Sequence, residues 1–216
     1  MTEAPRRLPP PRRLAVAALL VLLLAITAAL ALRPWAGPGA PQAAAPAAFH
    51  SRDVSPENWK GAFTLTDMDG RTRTLEEFRG KVVLLSFGYT HCPDVCPTTL
   101  ARFAQVRRLL GKDADHVQGL FITIDPERDT AALLRSYVPA FDPSFIGLRG
   151  SEAQTDAVTS AYHANYQIVD TKTERLVDHT ASTYVIDPAS RVRLVSAYDQ
   201  TAEDLAQDVR ALLAGS

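Results

Sequence analysis

Neither sign of charge predominates in this sequence: 23 Lys and Arg stand against 24 Asp and Glu, and the two kinds are interspersed along the chain. No basic stripe of the sort that grips a phosphate backbone results, which argues against a nucleic-acid partner. No segment repeats. With 216 residues and an N-terminal stretch that cannot belong to a globular core, there is room for one domain of ordinary size and not comfortably for two. Cysteine is scarce, at two residues. Only a few polar residues precede the apolar run near the N-terminus, too few for a mitochondrial presequence, which would be amphipathic and rich in Arg and Ser.

That apolar run sets the expected compartment. Leu14 to Leu32, LAVAALLVLLLAITAALAL, carries no charge and approaches the roughly 20 residues that cross a bilayer as a helix. Arg6, Arg7, Arg12 and Arg13 precede it, so the positive-inside tendency keeps residues 1–13 in the cytoplasm and sends everything after Arg33 across. A cleaved signal peptide is the competing reading, since Ala-rich segments after Pro41 offer cleavage sites, but the run exceeds the usual apolar core of about 7–15 residues. The Arg pairs also suggest twin-Arg export, without the rest of that motif. The expectation is a single-pass protein of a bacterial inner membrane with its domain in the periplasmic space. A Pro/Ala-rich linker over 33–48 is a semi-extended spacer, and the domain, 49–216, begins near Phe49.

Within the domain, Phe63 to Asp67 and Arg71 to Thr74 alternate around the turn signal Met68-Asp-Gly70 and predict an opening β-hairpin. Lys81 to Phe87 is a continuous apolar run between Gly80 and Gly88, as expected of a central strand covered on both faces. After a loop from Gly88 to Pro97, Leu100, Phe103, Val106 and Leu110 fall at helical spacing, which predicts a helix over Thr98 to Leu110 closed by Gly111. Gly119 to Ile124 reads as the next buried strand. Asp129 is placed to cap a helix through Val138, Phe145 to Leu148 to form a short strand, and Ser151 to Tyr162 to form a helix. Thr183 to Ile186 and Val192 to Val195 predict a second hairpin, and Thr201 to Leu213 a closing amphipathic helix. This order fits an α/β domain with a thioredoxin-like mixed sheet flanked by helices. In such a fold the loop after the first central strand meets the residues just before the second hairpin.

Those two places hold the unusual residues. Cys92 and Cys96 lie four positions apart in Gly88-Tyr-Thr-His-Cys-Pro-Asp-Val-Cys-Pro97, between a strand's end and a helix's start. If the segment turns helically they share a face with Cβ atoms about 5–6 Å apart, close enough to hold one metal ion or, with adjustment, to close a disulfide. The helix N-terminus favours thiolates, so low thiol pKa values are expected. A purely structural disulfide fits poorly, because so short a loop removes little unfolded-state entropy and a domain of this size does not need it. Thioredoxin-type redox motifs separate their cysteines by two residues, whereas Pro93-Asp94-Val95 separates these by three.

Of the five histidines, His179 in Leu176-Val-Asp-His-Thr180 precedes the strand that faces the Cys loop. Two thiolates and an imidazole suit Cu(I) and can also hold Cu(II), one copper per domain. Zinc is the competitor, but a structural zinc site wants a fourth protein ligand, and no clear one is present apart from His91 beside Cys92. Asp178 is positioned to orient His179 as a hydrogen-bonding carboxylate. Because thiols must be reduced before they bind Cu(I), a thiol reductase upstream is an expected partner. The alternative to metal carriage is a thiol-disulfide oxidoreductase that uses Cys92 or Cys96 to reduce the cysteines of an acceptor.

Three motifs in order, Gly88 to Pro97, Thr123-Ile-Asp-Pro-Glu-Arg-Asp-Thr130, and Val177-Asp-His-Thr180 ahead of Tyr184-Val-Ile-Asp187, resemble the Sco/SenC family. The resemblance runs from about Trp59 to the C-terminus and includes the N-terminal membrane helix typical of that family. It implies a thioredoxin-like fold, copper on Cys92, Cys96 and His179, and service in assembling the dicopper centre of cytochrome c oxidase subunit II; the sequence itself leaves another cuproprotein open as the acceptor. One departure from redox-active thioredoxins accords with this: their cis-proline position corresponds here to Ala181.

Overall fold

The computed structural model describes residues 49–59, 61–170 and 175–215, together with Leu20, Leu23, Leu24 and Thr27 of the N-terminal segment. The chain divides into two units, Met1–Pro46 and Ala47–Ser216. In the first, the four described positions are helical and exposed, and Thr27 Oγ1 donates to the carbonyls of Leu23 and Leu24 at 3.0 Å. The rest of the expected membrane span at 14–32, the cytoplasmic segment 1–13 and the linker at 33–48 lie outside the described residues. Among the described residues no helix is long and apolar enough to cross a membrane.

The second unit is built on a mixed sheet of eight strands in the order β1-β10-β9-β4-β5-β6-β2-β3. These are β1 (Arg52–Asp53), β2 (Thr64–Asp67), β3 (Thr72–Thr74), β4 (Val82–Gly88), β5 (Val117–Thr123), β6 (Ile146–Arg149), β9 (Thr183–Ile186) and β10 (Val192–Ser196). At its centre β4, β5 and β6 run parallel, and β9 is antiparallel to β4. All residues of β4 and β5 are buried, as strands covered on both faces require. The expected first hairpin is β2 with β3: Asp67 N–H donates to the Arg71 carbonyl at 2.9 Å, and Gly70 takes φ +83° in the turn.

The helices are α1 (Val95–Leu110), α2 (Ala131–Tyr137), α3 (Glu152–Ala161) and α4 (Ala202–Ala214). In α1 the buried residues Leu100, Phe103, Val106 and Leu110 form the predicted stripe, with Phe103 edge-on to Phe145 at 6.2 Å. Tyr162, just past α3, closes the core through Phe87 and Tyr184, its ring edge-on to theirs at 5.7 and 5.2 Å, and its hydroxyl donates to the Gly61 carbonyl at 2.6 Å.

Three differences from expectation bear on the site. Helix α1 begins at Val95, three residues before Thr98, which puts Cys96 in its first turn; Pro97 is tolerated there because first-turn N–H groups have no intrahelical partner. Thr130, not Asp129, caps α2, its hydroxyl accepting from Leu133 N–H at 3.2 Å. The third difference is a separate two-stranded sheet of β7 (Tyr166–Asp170) and β8 (Arg175–His179), paired from Tyr166↔His179 onward. That arm delivers His179.

Candidate metal centre

Residues from two directions meet at the C-terminal end of β4. The chain leaves β4 through Gly88, where a Cβ would stand 2.7 Å from both Cys96 Sγ and Phe121 Cε2. A residue without a side chain is therefore what lets the buried Cys96 thiol sit against the strand. A turn follows, with Cys92 N–H donating to the Tyr89 carbonyl at 3.2 Å and Cys96 N–H directed at Cys92 Sγ at 3.5 Å. Both cysteines are free thiols, Cys92 half-buried and Cys96 buried.

The loop is pinned by a carboxylate. Asp129 is fully buried and accepts from Thr90 N–H at 3.0 Å, Thr90 Oγ1 at 2.6 Å and Thr123 Oγ1 at 2.6 Å. These bonds tie the residue two before Cys92 to the end of β5, and they explain why Asp129 does not cap α2: its oxygens are already engaged.

His179 ends β8. Its Nδ1 lies 3.0 Å from the Thr180 carbonyl. A carbonyl only accepts, so Nδ1 carries the hydrogen and Nε2 presents its lone pair. Nε2 faces Cys96 Sγ at 3.6 Å, and the ligand atoms of Cys92, Cys96 and His179 all lie within 4.8 Å of one another. Three donors at that separation can close on one ion with small movements, and the set of two sulfurs and one imidazole nitrogen suits copper. No fourth His, Cys, Asp or Glu joins them among the described residues.

The expected carboxylate partner of His179 is replaced by the Thr180 carbonyl; Asp178 is exposed, on the opposite side of the strand from its neighbours Val177 and His179. His91 is outside the trio, its Nδ1 3.2 Å from Thr90 Oγ1 and 3.8 Å from Asp129 Oδ1. The expected low thiol pKa does not hold for Cys96. Burial pushes this thiol well above its ordinary value, and a backbone hydrogen bond from Tyr89 only partly offsets that. Desolvation of the charged form outweighs the helix terminus here.

Tyr89 and Asp129 were not singled out by their local sequence. Tyr89 is buried, its ring edge-on to His179 at 6.2 Å and its other neighbour the Arg128 guanidinium 5.6 Å from the ring centre. The signal for Asp129 was its place in the second motif, where it reads as a cap. An open cleft lined by Asn165, Tyr166, Gln167, Asp178 and Thr180 reaches His179 from solvent.

The family model SCO1/SenC matches residues 51–214. The mitochondrial SCO2 homolog of Bos taurus is 40% identical over 155 residues, 70% of this chain and 58% of that protein, so the chain spans less than two thirds of that relative's length. The structure of Bradyrhizobium japonicum ScoI with copper bound is 41% identical with a TM-score of 0.65, over 70% of this chain and 97% of that one. BsSco, a member of the Sco family of cytochrome c oxidase assembly proteins in which a disulfide switch was identified, shares the fold at 24% identity and a TM-score of 0.59, over 72% and 94%.

Proposed function

Since the chain belongs to the SCO1/SenC family, we propose that it is a copper metallochaperone that binds one copper ion through Cys92, Cys96 and His179 and delivers it to the dicopper centre of cytochrome c oxidase subunit II. The observation that carries this reading is the convergence of two thiols and one imidazole nitrogen within 4.8 Å. The copper-bound ScoI relative supports copper over other soft-site metals. Copper is cargo here. Cu(I) displaces the thiol protons, two sulfurs and His179 Nε2 close on it, and an acceptor takes it by exchanging one ligand at a time. The open cleft at His179 and the half-buried Cys92 offer the approach for that exchange. The 14–32 run anchors the domain to a bacterial inner membrane, with 1–13 cytoplasmic, 33–48 as spacer and 49–216 in the periplasm.

The test is transfer. The copper-loaded chain, mixed anaerobically with the reduced dicopper domain of an oxidase subunit II, is expected to lose its copper as the acceptor gains it. Retention of copper by the loaded chain, with an acceptor that fills readily from free copper, contradicts delivery.

A second reading rests on the asymmetry of the thiols, one accessible and one buried. In it Cys92 attacks an acceptor disulfide, Cys96 resolves the mixed disulfide, and two electrons and two protons pass to the acceptor as Cys92 and Cys96 become a disulfide. This reading needs no role for His179, and the wide cysteine spacing weighs against it.

A further inference from the structure

The sheet of β7 and β8 stands apart from the eight-stranded sheet, so something other than strand pairing must hold His179 over the cysteines. Near its base, the Thr180 N–H donates to the Asn165 carbonyl at 2.9 Å and the Asn165 N–H to Thr180 Oγ1 at 3.0 Å, which closes the arm on itself. Val177 of β8 is buried in the core and His179 Nε2 meets Cys96 Sγ, and one further side chain reaches β8 from the Cys loop. Tyr89, one residue beyond β4, is 4% exposed; its hydroxyl takes a hydrogen bond from the Val177 backbone, and its ring meets the His179 ring edge-on at 6.2 Å and 82°. Its other side is backed by Arg128, which is in turn bonded to the buried Asp125. Tyr89 therefore grips β8 at two points, the backbone of Val177 and the ring of His179, and it belongs to the same loop as Cys92.

We propose that Tyr89 is a positioning residue that docks β8 on the cysteine loop and presets His179 at ligand distance before copper arrives. This rests on His179 being a ligand, as proposed above. Without the dock, the arm samples orientations in which Nε2 points elsewhere, and the binding-competent fraction, and with it the apparent affinity, falls. A ring alone supplies the edge contact; the hydroxyl adds the Val177 bond. Tyr89→Phe thus keeps one grip and Tyr89→Leu neither.

The experiment compares the full chain, reduced and metal-free, with Tyr89→Phe, Tyr89→Leu, His179→Ala and the Tyr89→Leu/His179→Ala pair. Amide hydrogen exchange over β8, with β4 and β5 as the folding control, is read beside Cu(I) affinity against a competing chelator. Tyr89→Leu is expected to speed exchange over β8 by about tenfold or more while β4 and β5 keep their protection. Its Cu(I) affinity should fall about tenfold, Tyr89→Phe lying between it and the parent, and adding it to His179→Ala should cost nothing further, because its effect acts through that ligand. Parent-like exchange over β8 in Tyr89→Leu overturns the proposal, as does faster exchange with unchanged copper affinity, or a full additional loss in the double variant. Should Tyr89→Leu fail to keep β4 and β5 protected, unchanged protection of Val177 in Tyr89→Phe overturns it instead. If His179→Ala binds copper like the parent, the ligand set has failed, and faster β8 exchange in Tyr89→Leu then shows docking of the arm without a role in copper binding, which also overturns the proposal.

Discussion

Cys96 Sγ stands 3.6 Å from His179 Nε2 across 83 residues of sequence. The contact joins the first turn of α1 to the last residue of β8, two elements of different sheets or layers, and it is one side of a triangle whose three atoms all lie within 4.8 Å of one another. It places a thiol that burial keeps protonated against a nitrogen whose lone pair is free to accept.

A pH dependence follows from that thiol. Its folded-state pKa lies above the ordinary value of 9.0 because burial disfavours the thiolate. A copper ligand must be the thiolate, so binding expels the proton, and each expelled proton makes affinity rise about tenfold per pH unit. Cu(I) affinity of the reduced chain is expected to climb at least that steeply between about pH 6 and 8, read by chelator competition. A flat profile contradicts a buried protonated ligand. For the metal-free fold the sign is reversed: a raised pKa contributes stability that is present below 9.0 and lost as pH rises, since the unfolded thiol ionises first.

The knot at Asp129 gives a second prediction. Asp129→Ala leaves Thr90 N–H and the hydroxyls of Thr90 and Thr123 without their acceptor. A loss of about 3 kcal/mol of unfolding free energy is expected in urea, since three donors lose their acceptor, the Thr123 hydroxyl fully buried and the two Thr90 groups half-buried. Alkylation of Cys92 should become faster as its loop loosens. A variant with parent-like stability and parent-like alkylation shows that the loop is held otherwise.

Gly88→Ala gives a third. The added methyl meets two side chains, Cys96 Sγ and Phe121 Cε2, each at 2.7 Å. Overpacking of this kind costs about 1–3 kcal/mol, and both the Cys96 thiol and the Phe121 ring must give way. Both the unfolding midpoint and Cu(I) affinity are expected to drop. Loss of stability alone, with affinity intact, means that the thiol position is more tolerant than the contact implies.

Much of this architecture is written locally. The apolar run at β4, the turn at Gly70 and the stripe of α1 each follow from a period or a turn residue, and Cys92, Cys96 and His179 stand out once the fold order brings their loops together. What is not legible depends on depth and on long-range partners. Nothing within a few residues of Asp129 says that Thr90 and Thr123 will occupy its oxygens, so it reads as a cap. Cys96 reads as a helix-terminus thiol with lowered pKa because burial is not a local property. The β7–β8 arm is short and lies off the main sheet, although the alternation of half-buried Tyr166 and Ile168 with exposed Gln167 and Val169 is a strand signal in retrospect. Asp178 is a residue type that often orients a metal-binding histidine, but its strand turns it away and the Thr180 carbonyl takes its place.

The central claim is that these three side chains form one copper site, and an anaerobic Cu(I) titration of the reduced chain against a competing chelator tests it most directly, with Cys92→Ser, Cys96→Ser and His179→Ala alongside. Tight one-to-one binding weakened by about tenfold or more in every variant is the predicted result. Binding by His179→Ala as tight as the parent's contradicts the account and favours the thiol reductase.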